Sequence, residues 1–153
     1  MIYISKFEAP DGVWSITGSS QGITGVFPSD SEIPVHENEI TRQAVQELKE
    51  YFVHRRTVFT TPVAPEGTPF QKAVWEQLRK IPYGQSWCYS QVAAAIGRPM
   101  AVRAVAQAIG RNPCLILIPC HRVLGKDGSL TGFSAGLALK KQLLDLEGIP
   151  YRT

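Results

Sequence analysis

The sequence contains few of the residues that build disulfide frameworks or metal sites. Its 153 residues include three cysteines and three histidines, and no Cys-x-x-Cys pair occurs. An odd number of cysteines without short paired spacing argues against a disulfide framework and favours a reducing compartment. The scattered histidines and cysteines do not form a zinc-binding pattern either. We therefore expect a cytoplasmic protein without a bound metal.

Long apolar runs are also missing. No run approaches the roughly 18 to 20 apolar residues that cross a bilayer. The first residues, MIYISKFEAPDG, show no basic segment followed by an apolar one, so they do not predict a secretory signal. With 44% hydrophobic and 19% charged residues, the composition is that of a soluble globular protein, and no membrane contact is expected.

Acidic residues are scarce in the second part of the chain. Residues 1–66 hold five Lys/Arg against nine Asp/Glu, a balance of −4. Residues 67–153 hold eleven Lys/Arg against four Asp/Glu, a balance of +7. A basic surface is typical of proteins that bind the phosphate backbone of nucleic acids, although a merely solvated basic surface would look the same.

The first 66 residues predict a small sheet with one helix. IYISKFE, GVWSITGS and GITGVFP are rich in β-branched and aromatic residues, and Asp-Gly and Gln-Gly turns separate them. TRQAVQELKEYFV has the apolar spacing of a helix that begins at Thr41. These elements predict an antiparallel three-stranded sheet plus helix, forming an N-terminal domain over residues 1–66.

The remaining residues, 67–153, predict a mainly helical second domain after the linker TTPVAPEG. A helix begins at Pro69, with Thr68 as its N-cap and Gln71 completing a capping box. YSQVAAAIG and MAVRAVAQAIG predict two short helices around a Gly-Arg-Pro turn, a candidate helix-turn-helix, though a plain helical hairpin is also possible. LALKKQLLDLEG predicts a last helix that stops at Gly148. The fold class is α+β.

The stretch CLILIPCHRV is the richest in chemistry. CLILI predicts a buried strand, and Pro119 ends it just before Cys120. Cys88 and Cys114 are expected to be inert core residues. Cys120 instead exits toward basic groups, and a nucleophilic thiolate is favoured by partial exposure, positive potential and a nearby base.

His121 is the nearest candidate base for Cys120. Neighbouring side chains on an extended chain point to opposite sides, so His121 would reach the sulfur only through a water or after a turn. A carboxylate would then orient the imidazole, and several acidic residues remain possible from the residues alone.

Several motifs together resemble one family. IPCHRV is preceded by NPCLIL and followed by GSLTGFSAG and KKQLLDLEG. Two further segments lie earlier in the chain, GTPFQKAVWEQLRKIPYGQSWCYSQVAAAIGRP and then VRAVAQAIGRNP. This pattern resembles the O6-alkylguanine-DNA alkyltransferases, which repair DNA by direct reversal. The resemblance covers about residues 67–148, and the first 66 residues agree only in kind.

The resemblance implies a role for each residue of the reaction centre. Cys120 would accept the alkyl group, in one irreversible turnover, from O6-alkylguanine in duplex DNA, with O4-alkylthymine as an open second substrate. His121 would act on Cys120 through a bridging water, and Glu147 would orient His121. Asn112 would tie the recognition helix to the active-site segment, and Lys140 would assist Tyr89 in proton transfer.

The same resemblance implies the DNA contacts and the base pocket. Tyr89 would rotate the phosphate of the target nucleotide, and Arg103 would fill the gap left by the everted base. The remaining expected DNA contacts are Ala104, Ala106, Gln107 and Arg122. The pocket for the guanine edge would be lined by Pro119, Val123, Ser134 and Ala135. The partner is double-stranded DNA with alkylated guanine, no cofactor is needed, and a monomer is expected.

Two positions depart from the family pattern. Ala106 and Ala135 stand where many members have glycine, so a methyl group is added to the DNA-facing helix and to the pocket. We expect slower reaction with O6-benzylguanine than with O6-methylguanine. Members with a structural zinc hold it with N-terminal Cys and His ligands, and residues 1–66 lack cysteine, so no zinc is expected.

Three other functions compete with alkyl transfer. Alkyltransferase-like proteins bind the lesion without chemistry, but they usually carry tryptophan where this chain has Cys120. A transcription factor would not need PCHRV. A cysteine hydrolase would need an oxyanion hole and a base from elsewhere, and His36 and His54 offer little.

Overall fold

The computed structural model describes residues 1–30, 32–133 and 135–153, and it is an α+β protein. Its described residues form five strands and five helices. In chain order they are β1 (Tyr3–Ala9), β2 (Gly12–Gly18), β3 (Ile23–Pro28), α1 (Glu39–Phe52), α2 (Pro69–Leu78), β4 (Trp87–Cys88), α3 (Tyr89–Ala95), α4 (Val102–Gly110), β5 (Val123–Leu124) and α5 (Leu137–Glu147).

The chain divides into two compact units. The first unit contains Met1–Glu66 and also Pro113–Leu117. The second unit contains Gly67–Asn112 and Ile118–Thr153. After α4 the chain therefore returns to the first unit for five residues, before it reaches Cys120–Arg122, the CHR segment. The expected first domain, residues 1–66, does not contain these five residues.

The first unit is built on an antiparallel sheet of order β1-β2-β3, which confirms the predicted sheet. Alternation places Trp14 and Ile16 on its buried face, where neither side chain is exposed. The rings of Phe7 and Phe52 lie beside Trp14, with centroid distances of 6.2 and 5.8 Å. Since Phe52 lies on α1, these aromatic contacts join the helix to the sheet.

Helix α1 begins two residues earlier than predicted. Asn38 is its N-cap: the Asn38 side chain accepts a hydrogen bond from Thr41 N at 2.8 Å, and Thr41 Oγ1 accepts one from Asn38 N at 3.1 Å. Thr41 is thus the third residue of a capping box rather than the start of the helix.

Glu47 of α1 is a buried carboxylate that holds the segment after the helix. Its side chain is enclosed, and it accepts hydrogen bonds from the backbone N–H and the hydroxyl of both Thr60 and Thr61. Burial raises the pKa of Glu47, but these hydrogen bonds outweigh burial and bring its pKa below the usual value. Glu47 therefore stabilises the first unit in its ionised form.

The outer edge of β3 pairs with two separate segments of the first unit. Ile23 forms a parallel bridge with Val63, and Val26 forms one with Cys114. Val26 N donates to Pro113 O at 2.9 Å. These bonds occupy backbone groups that an edge strand would otherwise leave open.

The prediction of a strand over CLILI is wrong. After the bridge at Cys114 the chain turns, because Ile116 has a φ of 72° and Leu117 N donates to Leu115 O at 2.8 Å. A β-branched residue with positive φ is uncommon, and surrounding packing must hold it there. All five residues are nevertheless buried, as the apolar pattern indicates.

In the second unit the predicted start of α2 is confirmed. Thr68 caps the helix, with Gln71 N donating to Thr68 Oγ1 at 3.1 Å and Thr68 N donating to Gln71 Oε1 at 3.0 Å. Trp75 Nε1 donates to Ala108 O at 2.8 Å and so joins α2 to α4. Helices α3 and α4 also pack against each other.

A short parallel pair of strands places the CHR segment beside α3. Trp87 of β4 pairs with Val123 of β5, and Cys88 pairs with Leu124. Leu124 also joins a buried cluster with Leu144 of α5. Because β5 directly follows Arg122 and α3 directly follows Cys88, the pairing brings these two chain segments together.

The end of α5 and the burial of two cysteines can be compared with the sequence predictions. Helix α5 stops at Gly148, whose φ of 73° is the left-handed conformation of a glycine cap, as predicted. Cys88 is half-buried at the N-cap position of α3, so the expectation of an inert core residue is wrong there. Cys114 is fully buried, in agreement with the expectation.

Candidate active site

The residues Cys120, His121 and Arg122 form one turn of 3₁₀ helix. Pro119 precedes the turn, and Arg122 N donates to Pro119 O at 3.0 Å. The turn folds all three side chains into the interior, where Cys120 is 3% exposed and His121 is not exposed. Cys120 and His121 therefore do not lie on an extended chain with their side chains on opposite sides, as the sequence analysis assumed.

Glu147, at the end of α5, is the central residue beneath this turn. His121 Nε2 lies 2.5 Å from Glu147 Oε2. Arg122 donates to both oxygens of the same carboxylate, from Nε at 2.8 Å and from Nη2 at 3.1 Å. Gly84 N adds a bond to Oε1 at 3.1 Å. A forked Arg–carboxylate contact of this kind is rigid and strong.

Arg122 is held on its other side by the loop after α2. Its Nη1 donates to Ile81 O at 2.7 Å, and its guanidinium lies over the ring of Tyr83 at 5.7 Å. Arg122 is 5% exposed. Since its donors are directed inward, contact between Arg122 and DNA does not fit this position, and Arg122 is instead a partner of Glu147.

The charges in this cluster decide the protonation state of His121. Burial raises the pKa of Glu147, but bonds and charge from His121 and Arg122 outweigh burial and bring it to about 2. Burial lowers the pKa of His121 despite the neighbouring carboxylate, and Arg122 already balances the charge of Glu147. His121 is therefore neutral near pH 7, and its Nε2–H donates to Glu147.

This tautomer leaves the second ring nitrogen of His121 as an acceptor. Nδ1 is buried, and no protein hydrogen-bond partner for it lies within the described ranges. A buried acceptor without a protein partner is uncommon in folded proteins, and a bound water or a catalytic role accounts for such an atom. With Glu147 fixing the opposite nitrogen, His121 has the arrangement of a general base.

Cys120 rests as a thiol. Burial raises the pKa of Cys120 to about 11, although hydrogen bonding by Asn112 and the charge of Lys140 act in the opposite direction. The expectation of a partly exposed thiol is wrong, because the 3₁₀ turn folds the sulfur inward. At pH 7 a nucleophilic sulfur here needs a base to remove its proton.

Asn112 and Lys140 approach the turn from two other elements. Asn112, just after α4, donates from Nδ2 to Ile118 O at 2.8 Å. Lys140 of α5 is fully buried and donates from Nζ to Val123 O at 2.8 Å. Burial lowers the pKa of Lys140 to about 8, which leaves it mostly charged at pH 7.

Lys140 also reaches Tyr89 through a residue that sequence reasoning missed. Lys140 Nζ lies 3.3 Å from Thr131 Oγ1, and Thr131 Oγ1 lies 2.5 Å from the hydroxyl of Tyr89. Thr131 belongs to the glycine-rich loop before α5, where no sequence pattern singles out a threonine. The structure thus joins Tyr89 at the start of α3 to the lysine of α5.

The expected DNA-contacting residues of α4 lie together on its surface. Arg103, Ala104 and Gln107 are exposed, and Ala106 is half-buried. A groove along this face is lined by residues of α2 and α4, including Gln71 and Gln107, and by Arg111 just after α4. The surface offers small and polar side chains to a partner.

The expected pocket residues differ in their exposure. Pro119 and Val123 are buried, and Ala135 is half-buried. Ser134 lies outside the described residues. Val123 contributes its backbone carbonyl to Lys140, so its oxygen is already engaged in this structure.

The described ranges contain neither a metal-binding cluster nor a membrane-spanning helix. Within residues 1–30, 32–133 and 135–153, no cluster of three or more His, Cys, Asp or Glu side chains is placed to hold a metal ion. In that same part of the chain, no helix has the length and apolar character needed to span a membrane.

The two thiols Cys88 and Cys120 are expected to react very differently with iodoacetamide. Burial raises the pKa of Cys88, but bonds with Ser90 and the backbone lower it further, so its pKa lies below the usual value. Cys120 has a pKa two units above its usual value of 9, about 100-fold less thiolate at pH 8. Peptide mass mapping of the native protein should show Cys88 labelled at least 100-fold faster. Equal labelling of the two thiols would contradict a buried Cys120. The same holds if Cys120 of a Cys88→Ser variant is labelled as fast as Cys88 of the unchanged protein.

Comparisons with known proteins agree with this geometry. A family model described as 6-O-methylguanine DNA methyltransferase, DNA binding domain, matches residues 69–149. A methylated-DNA–protein-cysteine methyltransferase of Methanosarcina acetivorans is 42% identical, covering 96% of this chain and 99% of its own. The constitutive one of Bacillus subtilis is 40% identical, covering 99% of both. The structure of Mycobacterium tuberculosis OGT in complex with DNA has a TM-score of 0.85 and 36% identity, covering 95% of this chain and 92% of its own.

Proposed function

Because this chain belongs to the family of methylated-DNA–protein-cysteine methyltransferases, we propose that Cys120 is the acceptor of its alkyl-transfer reaction. The protein is a direct-reversal DNA repair enzyme. The observation that carries the assignment of Cys120 is the neighbouring pair of His121 and Glu147, at 2.5 Å, with the imidazole Nδ1 left as an acceptor. Neither Cys88 nor Cys114 has a histidine next to it in the sequence.

In the proposed reaction the Cys120 sulfur attacks the methyl carbon of O6-methylguanine. A carbon–sulfur bond forms as the carbon–oxygen bond breaks, and the electron pair of the broken bond goes to the guanine oxygen. His121 takes the thiol proton, and the released purine takes up one proton to become neutral guanine. Water does not reverse a thioether, so each protein molecule reacts once.

His121 acts on the sulfur through a bridging water in this proposal. Its Nδ1 accepts the proton while Nε2–H stays bonded to Glu147, which stabilises the imidazolium that forms. Arg122 keeps the carboxylate in place from the other side. Asn112 and the charge of Lys140 then stabilise the thiolate, since both favour the ionised form of Cys120.

We place DNA binding on the second unit. Helices α3 and α4 form the proposed helix-turn-helix of a DNA-binding domain over residues 67–153, with residues 1–66 as the N-terminal domain. Its recognition helix is α4, whose exposed Arg103, Ala104 and Gln107 would lie along the duplex. Extruding the target nucleotide costs a few kcal/mol, and Arg103 would offset part of that cost by filling the gap. Ala106 adds a methyl group near this face, and Tyr89 would contact the everted nucleotide.

The pocket for the purine is proposed around Pro119, Val123, Ser134 and Ala135. The chemistry is complete with protein groups, so the proposal includes no metal and no cofactor. We also propose that the protein acts as a monomer in the cytoplasm, one molecule for each lesion.

Mass spectrometry after mixing with a duplex that contains O6-methylguanine tests the acceptor. We expect a gain of one methyl group on Cys120, and no gain in Cys120→Ala. Cys88→Ser is the matched control, because Cys88 is the more exposed thiol and would react first in unspecific alkylation. Methyl on Cys88, or uptake by Cys120→Ala, would overturn the assignment, and binding without any transfer would favour a lesion-binding protein without chemistry.

Ala135 is expected to make the pocket selective for small alkyl groups. Many members have glycine at this position, so the methyl group of Ala135 narrows the pocket. With both substrates presented as free bases, O6-benzylguanine should therefore react more slowly than O6-methylguanine. Ala135→Gly should raise the benzyl rate by about tenfold, a change of about 1.4 kcal/mol in the barrier, and leave the methyl rate nearly unchanged. Rates of loss of free Cys120 thiol measure both. Benzyl transfer as fast as methyl transfer in the unchanged protein would contradict this expectation.

A further inference from the structure

Thr131 lies between two residues of the proposed reaction centre that do not belong to the same element. Its hydroxyl oxygen is 2.5 Å from the Tyr89 hydroxyl at the start of α3 and 3.3 Å from Lys140 Nζ on α5. Both distances fall within hydrogen-bond range. A single threonine hydroxyl therefore joins the phenol to the ammonium group.

The donors of Lys140 determine what the Thr131 hydroxyl can do. An ammonium group has three donors and no acceptor. Lys140 Nζ has three oxygens around it, namely Val123 O at 2.8 Å, Thr131 O at 3.5 Å and Thr131 Oγ1 at 3.3 Å. Thr131 Oγ1 must therefore accept from Lys140, since a lysine ammonium cannot accept.

Lys140 does not use the hydroxyl hydrogen of Thr131, so this hydrogen is available for donation to Tyr89. With one lone pair used by Lys140, the Thr131 O–H can donate to the phenol oxygen at 2.5 Å. In that direction Tyr89 accepts through its oxygen and keeps its own O–H for another acceptor. Hydrogen bonds in such a chain polarise one another, so the charge of Lys140 strengthens Tyr89 as a donor.

We propose that Thr131 is a positioning residue that orients the Tyr89 hydroxyl toward the everted nucleotide and relays the charge of Lys140 to it. The inference rests on the proposed function, because Tyr89 meets the nucleotide only in that reaction. In this proposal Thr131 itself touches neither the sulfur nor the substrate. It acts through Tyr89, whose donated hydrogen bond to the purine stabilises guanine as it leaves.

Two substitutions at one position separate the hydroxyl from the side-chain volume. Thr131→Val keeps the shape and removes the hydroxyl, and Thr131→Ser keeps the hydroxyl and removes a methyl group. The rate of methyl transfer from O6-methylguanine duplex to Cys120, at saturating duplex, should fall about tenfold in Thr131→Val, the effect of one lost hydrogen bond. Thr131→Ser should stay within about twofold of the unchanged protein. Duplex affinity should be unchanged in both.

The titration of Tyr89, compared between Thr131→Val and Thr131→Ser, separates loss of the hydroxyl from a change in loop packing. Burial raises the pKa of Tyr89, and the bond with Thr131 lowers it. Carbon-13 NMR of ring-labelled tyrosine should therefore show a higher Tyr89 pKa in Thr131→Val and restoration in Thr131→Ser. Thr24→Val, which removes a threonine pair of the first unit at 2.9 Å, is the control and should leave Tyr89 and the transfer rate unchanged.

The outcomes distinguish this inference from the proposed function. If the unchanged protein methylates Cys120 and Thr131→Val reacts at the same rate, the positioning role is overturned. Equal slowing in Thr131→Val and Thr131→Ser, or slowing without a shift in Tyr89, also overturns it in favour of loop packing. If no variant takes up methyl, the proposed function fails, and the Tyr89 titration still decides whether the hydroxyl chain exists.

Discussion

Replacing His121 with phenylalanine is expected to slow methyl transfer to Cys120 by about 10²–10⁴-fold, the usual contribution of a general base. The sulfur rests as a thiol, because burial raises its pKa to about 11. Without His121 only the minute ionised fraction reacts. Phenylalanine retains most of the buried volume, so the loss reports the lost base. Single-turnover kinetics with O6-methylguanine duplex measure the rate.

The pH dependence distinguishes a lost base from a distorted site. In the unchanged protein His121 has a pKa below its usual 6.5, so the rate should fall under acidic conditions, as the imidazole takes up a proton, and should be level near pH 7. In His121→Phe the rate should instead follow the thiolate fraction of Cys120 and rise about tenfold per pH unit from about pH 6 to 7.5. Over this range Lys140, with a pKa of about 8, keeps most of its charge.

His36→Phe is the matched control for this substitution. His36 lies in the first unit and its side chain is exposed, with its ring 5.1 Å from Tyr3. Its transfer rate and pH profile should equal those of the unchanged protein. A flat profile in His121→Phe, even at reduced rate, would show that His121 does not remove the thiol proton.

Replacing Glu147 with glutamine is expected to have the largest effect on stability. The carboxylate accepts from Arg122 through both oxygens, and removing its charge leaves Arg122 buried without a counter-charge. Removing one partner of a buried pair typically costs about 3–5 kcal/mol. Since small domains have about 5–15 kcal/mol in total, a large share of the stability should be lost. Urea denaturation at pH 7 measures the difference.

The same substitution has a defined acid dependence. The folded pKa of Glu147 is about 2, below the value of 4.5 taken for the free group, so its ionised form contributes stability that is complete above pH 4.5. That contribution is lost as the pH falls through 2, because the folded state then also takes up the proton. The stability difference between Glu147→Gln and the unchanged protein should shrink over this range.

Glu47→Gln is the matched control, because Glu47 is a buried carboxylate of the first unit. It should also lose stability, since five hydrogen bonds from Thr60 and Thr61 depend on its oxygens. Transfer to Cys120 should be unchanged in Glu47→Gln under conditions where the protein is folded, and strongly reduced in Glu147→Gln. A stability difference below about 1 kcal/mol for Glu147→Gln would contradict the buried ion pair.

Local chemistry predicts one end of each of two helices in this fold, the start of α2 and the end of α5. Thr68, Pro69 and Gln71 are a complete capping signal, and Gly148 is a glycine cap, so both boundaries follow from residues near in sequence. CLILI has the apolar content of a strand but not its geometry. Ile116 adopts a positive φ, a backbone conformation that apolar periodicity does not indicate.

Some residues of the reaction centre could be predicted from the sequence and others could not. The resemblance names Cys120, His121 and Glu147, and the structure brings His121 and Glu147 together. The resemblance implies a DNA contact for Arg122, yet the 3₁₀ turn directs its side chain to Glu147. Thr131 carries no signal in its loop, since its importance comes from α3 and α5 meeting there in space.

The five residues at Pro113–Leu117 have a consequence for how the protein is made. They cover part of the β3 edge through Val26, yet they follow α4 in the chain. During synthesis the first 66 residues emerge long before them, with backbone groups of Val26 unpaired and the apolar cover missing. The pairing at the β3 edge is therefore completed only after α4 has left the ribosome, and a fragment ending at residue 66 would expose unpaired backbone groups at this edge.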